Sequence, residues 1–196
     1  MIDRRRFVFG CLAASAAGPA IAAEGAPTGF QTPQFEGDYP IPEEFWVQVV
    51  RVRDDFPAGQ IHIVPQTRFL YLTLGNATAI RYGVAIGRES LRYSGESVVG
   101  RKVEWPSWRP TPEMIARNPD AYARYADGMP GGPSNPLGAR ALYLYQNGYD
   151  TAIRIHGTTE PQSIGKAVSN GCFRMYNSHV VDLYDRVPMG TPVFAY

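Results

Sequence analysis

Short runs in which apolar and polar residues alternate recur along this chain, and turn formers break them. "FWVQVVRV" (45–52), "QIHIVP" (60–65), "RFLYLTL" (68–74) and "AIRYGVAIG" (79–87) come first, and "ALYLYQNG" (141–148), "TAIRIHG" (151–157) and "TPVFAY" (191–196) close the chain. A period of two suits a half-buried strand and not a helix. Gly75-Asn76 and Asn147-Gly148 lie where hairpins need residues that tolerate positive φ. Many short strands joined this way predict a mainly β fold, sandwich-like or barrel-like, with one or two short helices.

The first helix is expected at Thr111-Pro112-Glu113, which supplies an N-cap, a proline at the first position and an early acid. A second should start near Asn177 or Ser178, with Val180, Val181, Tyr184 and Val187 on one apolar stripe. Residues 105–138, which contain the first of these, form a long insertion with little strand character. Loops of that length in compact domains are usually functional or disordered.

The ends read differently. Arg4, Arg5 and Arg6, an apolar stretch from Phe7 to Ala17, and Ala20-Ile21-Ala22 make residues 1–22 an export signal, too short to span a membrane. "RRRFVFG" resembles the twin-arginine motif, and a general secretory signal rich in arginine is the alternative. Residues 23–44 read as a linker or arm, and 45–196 as one domain. Removing three Arg and one Asp with the signal takes the net charge from +1 to −1. No basic stripe remains, which argues against a nucleic-acid partner.

An exported chain of this kind keeps one cysteine, Cys172, within "VSNGCFRM" (168–175), and therefore has no internal disulfide. The thiol is an intermolecular bridge, an inert buried side chain, or a nucleophile. A nucleophile needs a base, and the base needs a group to fix its tautomer. Of three histidines, His62 lies within an alternating strand and His179 in the first turn of a polar-capped helix, where it should be wet. His156 ends "TAIRI" and precedes Gly157, whose uncrowded carbonyl could accept from the ring. Gly171 allows the chain to turn so that amide N–H groups point at a developing oxyanion. Spacing alone leaves catalytic and structural roles open. Zinc is disfavoured, because one Cys and scattered His lack ligand spacing.

"IRIHGTTEPQSIGKAVSNGCFRM" (153–175) resembles the signature of the L,D-transpeptidase catalytic domain, or YkuD, family. That signature is His-Gly, then Ser-x-Gly-Cys about a dozen residues on, then an apolar residue and Arg or Asn. The resemblance runs from about Gln60 to the C-terminus and includes "GRKVEWPSW" and "NPLGARALYLY". It implies a sandwich-like fold, Cys172 as nucleophile, His156 as general base and acid, and the Gly157 carbonyl as the group orienting the ring. It also implies an oxyanion hole from the N–H groups of Gly171 and Cys172. Ser169 and Arg174 match positions that shape the site and meet a substrate carboxylate, or else serve as a turn-stabilising hydroxyl and an ion-paired arginine. One position departs from the commoner pattern: Asn170 stands where many members have histidine, so no proton transfer is available there.

The implied activity is periplasmic and needs no metal or organic cofactor. The thiol would attack the third residue of a peptidoglycan stem tetrapeptide, release D-alanine, and pass the acyl group onward. The acceptor could be a neighbouring stem, a lysine of an outer-membrane lipoprotein, or water, the last making the protein an L,D-carboxypeptidase. Two rivals stand beside it. A papain-like protease fits Phe173 after the cysteine but lacks a distant downstream histidine. A non-catalytic wall-binding module would use Trp105, Trp108, Tyr122 and Tyr125 as a stacking surface, and leaves the His-Gly and Gly-Cys pairs unexplained.

Overall fold

The computed structural model describes residues 35–53 and 56–196; the expected export signal lies outside them. In chain order the elements begin with β1 (Phe35–Glu36), β2 (Tyr39–Pro40), β3 (Gln48–Arg51), β4 (Ile61–Val64), β5 (Phe69–Gly75), β6 (Thr78–Gly83), β7 (Ile86–Gly87) and β8 (Gly95–Glu104). They continue with α1 (Pro112–Arg117), α2 (Pro119–Tyr122), β9 (Arg140–Gln146), β10 (Tyr149–His156), β11 (Ala167–Ser169), β12 (Phe173–Arg174), α3 (Asn177–Arg186) and β13 (Pro192–Ala195). Nine strands form one mixed sheet in the order β12-β10-β9-β8-β13-β4-β5-β6-β3. Among the described residues no helix is long and apolar enough to cross a membrane.

The hairpins form for the expected reason. Asn147 and Gly148, between β9 and β10, have φ of 52° and 83°, the left-handed pair of a two-residue turn matched to strand twist. Between β5 and β6 the turn falls one residue later than expected, on Asn76 and Ala77 at φ 51° and 56°.

Two elements differ from expectation. β8 is ten residues long and sits inside the sheet. Its pairing with β9 shifts between Val99 and Arg101, so a bulge at Gly100 breaks the alternation that would reveal the strand. The expected C-terminal strand forms as β13 and is not at an edge of the sheet. It lies between β8 and β4, antiparallel to one and parallel to the other.

The sheet curls until its β12 edge reaches the segment that follows β6. Ala85, just past β6, exchanges main-chain hydrogen bonds of 2.9 and 3.0 Å with Arg174 of β12. Ile86 N–H then donates to Lys166 O at 3.0 Å and Arg88 N–H to Ser169 O at 3.1 Å, pairing β7 with β11. Gly87 lies at the tightest point of this brace. A Cβ there would stand 2.7 Å from Leu91 O and 3.0 Å from Gly171 Cα.

The inner face holds Ile61, Leu70, Leu142, Ile155, Phe173 and Val193, all fully buried. Helix α3 covers β9 and β10. Its buried stripe is His179, Val180 and Leu183, continuing at Val187 just beyond the helix. The expected stripe is therefore rotated, because His179 is not wet but wholly buried. The N-terminal arm packs against the start of this helix. Glu36 accepts from Ser178 N–H at 3.1 Å and from Ser178 Oγ at 2.8 Å, capping α3. Tyr39 stacks on Tyr176 beside it. The His179 ring meets Tyr176 edge-on at 5.0 Å, and among the described residues neither ring nitrogen has a hydrogen-bond partner.

Two predictions follow from this packing. Gly87→Ala should cost about 1–3 kcal/mol, the usual scale of overpacking; an unchanged urea midpoint would contradict the close approach. Burial lowers the His179 imidazole from 6.5 to about 4. Its unfolded form therefore binds protons more readily than its folded form. The stability is complete above pH 6.5 and is lost as pH falls toward 4, by about 2 kcal/mol at pH 5. The unfolding free energy of His179→Phe should fall less between pH 7 and 5 by about that amount; equal slopes would show that the ring is not the source.

Candidate active site

The Cys172 turn is tied together by the hydroxyl of Ser169. Ser169, almost wholly buried, donates through Oγ to Cys172 O at 2.5 Å and accepts from Gly171 N–H at 3.2 Å. Gly171 has φ +117°, a value suited to glycine. Ser169 is thus a turn-stabilising hydroxyl, and the Gly171 N–H is engaged at rest.

β12 pairs in parallel with β10, Ile155 opposite Phe173 and His156 opposite Arg174. Side chains alternate along a strand, so Ile155 and Phe173 face the core while His156 and Arg174 share the other face. Cys172, one step before Phe173, falls on the His156 face. Its Sγ lies 3.8 Å from Ala152 O. That carbonyl is re-aimed by a bulge in β10, where the register shifts between Asp150 and Arg154 and Ala152 takes φ +60°.

His156 is 5% exposed. Its Nδ1 lies 2.6 Å from the Gly157 carbonyl. A carbonyl only accepts, so Nδ1 carries the proton and Nε2 keeps its lone pair. Burial, assisted by the Arg174 charge, lowers the ring to about 3. Burial pushes the Cys172 thiol up, against opposing pulls from the Arg154 backbone and the Arg154 and Arg174 charges. The resting pair is a neutral thiol and a neutral imidazole.

Several residues here escape sequence reasoning. Asn177 donates to Thr158 O at 2.8 Å and accepts from Ala139 N–H at 2.9 Å. A Cβ on Gly157 would stand 2.1 Å from Asn177 Oδ1. Glycine is required there by this amide as much as by access to the carbonyl. An asparagine at a helix start reads as a cap, which hides its cross-strand role. Arg154 is clamped by Asp150 at 2.6 and 2.8 Å and stacks on Tyr143 at 4.0 Å. Arg174 pairs with Glu160 at 2.5 Å, the ion-paired alternative for that position.

The insertion comes down on the site through Asn170. Arg117 donates to Asn170 Oδ1 at 2.8 Å, and Asn170 Nδ2 donates to Tyr122 Oη at 3.2 Å. Thr111 and Asn118 cap α1 and α2. Of the four aromatics, Trp105 is 47% exposed. Trp108 packs edge-on against Tyr122 and Tyr125 at 6.2 and 5.7 Å. Trp108 also lines a cleft of about 410 Å³ with Arg109 and Asp127. His62, away from the site, bonds Tyr196 Oη at 2.8 Å, as a satisfied strand residue would.

A family model of the L,D-transpeptidase catalytic domain (YkuD) matches residues 58–194. YqjB of Bacillus subtilis, an L,D-transpeptidase by name, is 38% identical over 130 residues, covering 65% of each chain. A Brucella melitensis structure described as a probable carnitine operon oxidoreductase is 52% identical. It covers 77% of this chain and 93% of its own, with a TM-score of 0.55. An Enterococcus faecium L,D-transpeptidase variant shares the fold at 17% identity and a TM-score of 0.53, covering 72% of this chain and 50% of its own. The chain spans about half to two thirds of the length of curated relatives such as the Fuscovulum blasticum and Bacillus proteins. With the matched model taking in both Cys172 and His156, this chain belongs to the L,D-transpeptidase catalytic domain family.

Proposed function

We propose that the protein is a periplasmic L,D-transpeptidase acting on peptidoglycan stem tetrapeptides. The observation that carries this reading is the Nδ1-to-carbonyl bond of His156 at 2.6 Å, which leaves Nε2 basic on the face that Cys172 shares. Cys172 Sγ attacks the carbonyl carbon of the third stem residue while Nε2 takes the thiol proton. Negative charge gathers on the carbonyl oxygen, where the N–H of Cys172 stabilises it, joined by that of Gly171 once it leaves Ser169 Oγ. The tetrahedral intermediate collapses, the carbon–nitrogen bond breaks, and His156 returns the proton to the departing D-alanine amine. A thioester remains. An acceptor amine, from a neighbouring stem or a lipoprotein lysine, then attacks it, gives its proton to His156 and regenerates the thiol.

The description of the Brucella protein names a redox reaction. A thiol on the same face as a neutral imidazole is instead suited to acyl transfer. Muropeptide analysis with the purified protein tests this directly: new cross-linked species support transfer, shortened stems without cross-links point to water as the acceptor, and unchanged muropeptides count against the activity.

A carbapenem should leave one covalent adduct in intact-mass spectra of the wild type and none in Cys172→Ala; an adduct persisting in the variant would displace Cys172 as nucleophile. His156→Ala should slow acylation by about a hundred-fold or more, whereas His62→Gln and His179→Gln should not once folding is verified. Because His156 stays neutral above about pH 3, the acylation rate should be flat from pH 5 to 8. Loss of rate on acidification would begin only near the His156 value. A sigmoid centred near 6.5 would mean that the ring titrates as an exposed imidazole.

A further inference from the structure

Asn170 is where two parts of the molecule meet. On one side stand Gly171 and Cys172; on the other, Arg117 at the end of α1 and Tyr122 at the end of α2 hold its amide at both ends, at 2.8 and 3.2 Å. The loop's other flank is secured by the 84–88 brace, through main-chain hydrogen bonds of 2.9 and 3.0 Å between Ala85 and Arg174. Between these two holds lies Gly171 at φ +117°, the residue least able to keep a peptide plane oriented by itself.

We propose that Arg117 and Tyr122 are positioning residues for Cys172, acting through Asn170: docking α1 and α2 on this amide sets the turn that aims the thiol and its neighbouring N–H groups. The chemistry of the side chain fits the task. A carboxamide offers an acceptor and a donor on adjacent atoms, so a guanidinium and a phenol oxygen can be satisfied together. An imidazole would present its two nitrogens in diverging directions, and when protonated would stand as a second cation beside Arg117. The docked unit is itself braced. Asn118 accepts from Ala121 N–H at 3.2 Å, and Tyr122 packs on Trp108, which exchanges main-chain bonds of 2.9 and 2.7 Å with Met129.

The inference rests on Cys172 being the acylated thiol, and two readouts separate it from that reading. The first is a set of double-mutant cycles on carbapenem acylation and, in parallel, on iodoacetamide alkylation, which needs the thiol but no acyl transfer. Arg117→Ala, Tyr122→Phe and Asn170→Ala should each slow both reactions by about five- to ten-fold, the scale of one hydrogen bond. The pairs Arg117→Ala/Asn170→Ala and Tyr122→Phe/Asn170→Ala should be no slower than Asn170→Ala alone. Factors that multiply in full would show that the helices act on the reaction by another route, and would overturn the proposal. The second readout is amide hydrogen exchange over residues 112–125. It should quicken in folded Asn170→Ala, and unchanged exchange would also overturn the proposal. Coupled alkylation and quickened exchange in a protein that carbapenems do not acylate would sustain the joint and count against the acyl-transfer reading.

Discussion

The hydrogen bonds that residues 84–88 make with both arms of the Cys172 turn are the constraint on which the rest of the site depends. They do two jobs with one set of groups. They close the curled sheet, Ala85 against Arg174, and they pin the approach to the turn, Ile86 on Lys166 and Arg88 on Ser169. A buried main-chain group without a partner is costly, so these pairings are hard to give up one at a time. The Cys172 loop is therefore a joint of the sheet and not an appendage to it.

Burial then does the electrostatic work. The exclusion of water that drives core formation also keeps His156 neutral and Cys172 protonated. Charge is thus absent from both groups at rest. Asn177 and Asn170 fix the two sides of this pair in the same manner, each with both ends of its amide in use. One amide holds the corner after His156; the other meets the insertion just before Gly171.

What the sequence discloses follows from range. The hairpin at Asn147-Gly148, the helix start at Thr111-Pro112 and the pairing of His156 with Gly157 are local, and each is written in neighbouring residues. β8 is hidden because the bulge at Gly100 interrupts its period. His179 misleads because its burial comes from tertiary packing: Tyr82, nearly a hundred residues earlier, and Tyr176 place their rings 6.2 and 5.0 Å from it. Arg117 on Asn170 spans 53 residues, and no spacing rule reaches that far. Asn170 reads as a departure in a motif, and its partners become visible only when the insertion folds down.

The central place of β13 has a kinetic consequence. One half of the sheet is β12-β10-β9-β8 and the other β4-β5-β6-β3, and in the ladder they join only through the strand at 192–195. Its partner Ile61 lies more than a hundred residues earlier, opposite Val193. Forming that pair demands closure of a very long loop before most contacts can repay it, which places the domain among slow, high-contact-order folders. A nascent chain can build its hairpins as it emerges, and the 84–88 brace can tie its halves at one side, while the ladder from β8 to β4 waits for the strand at 192–195.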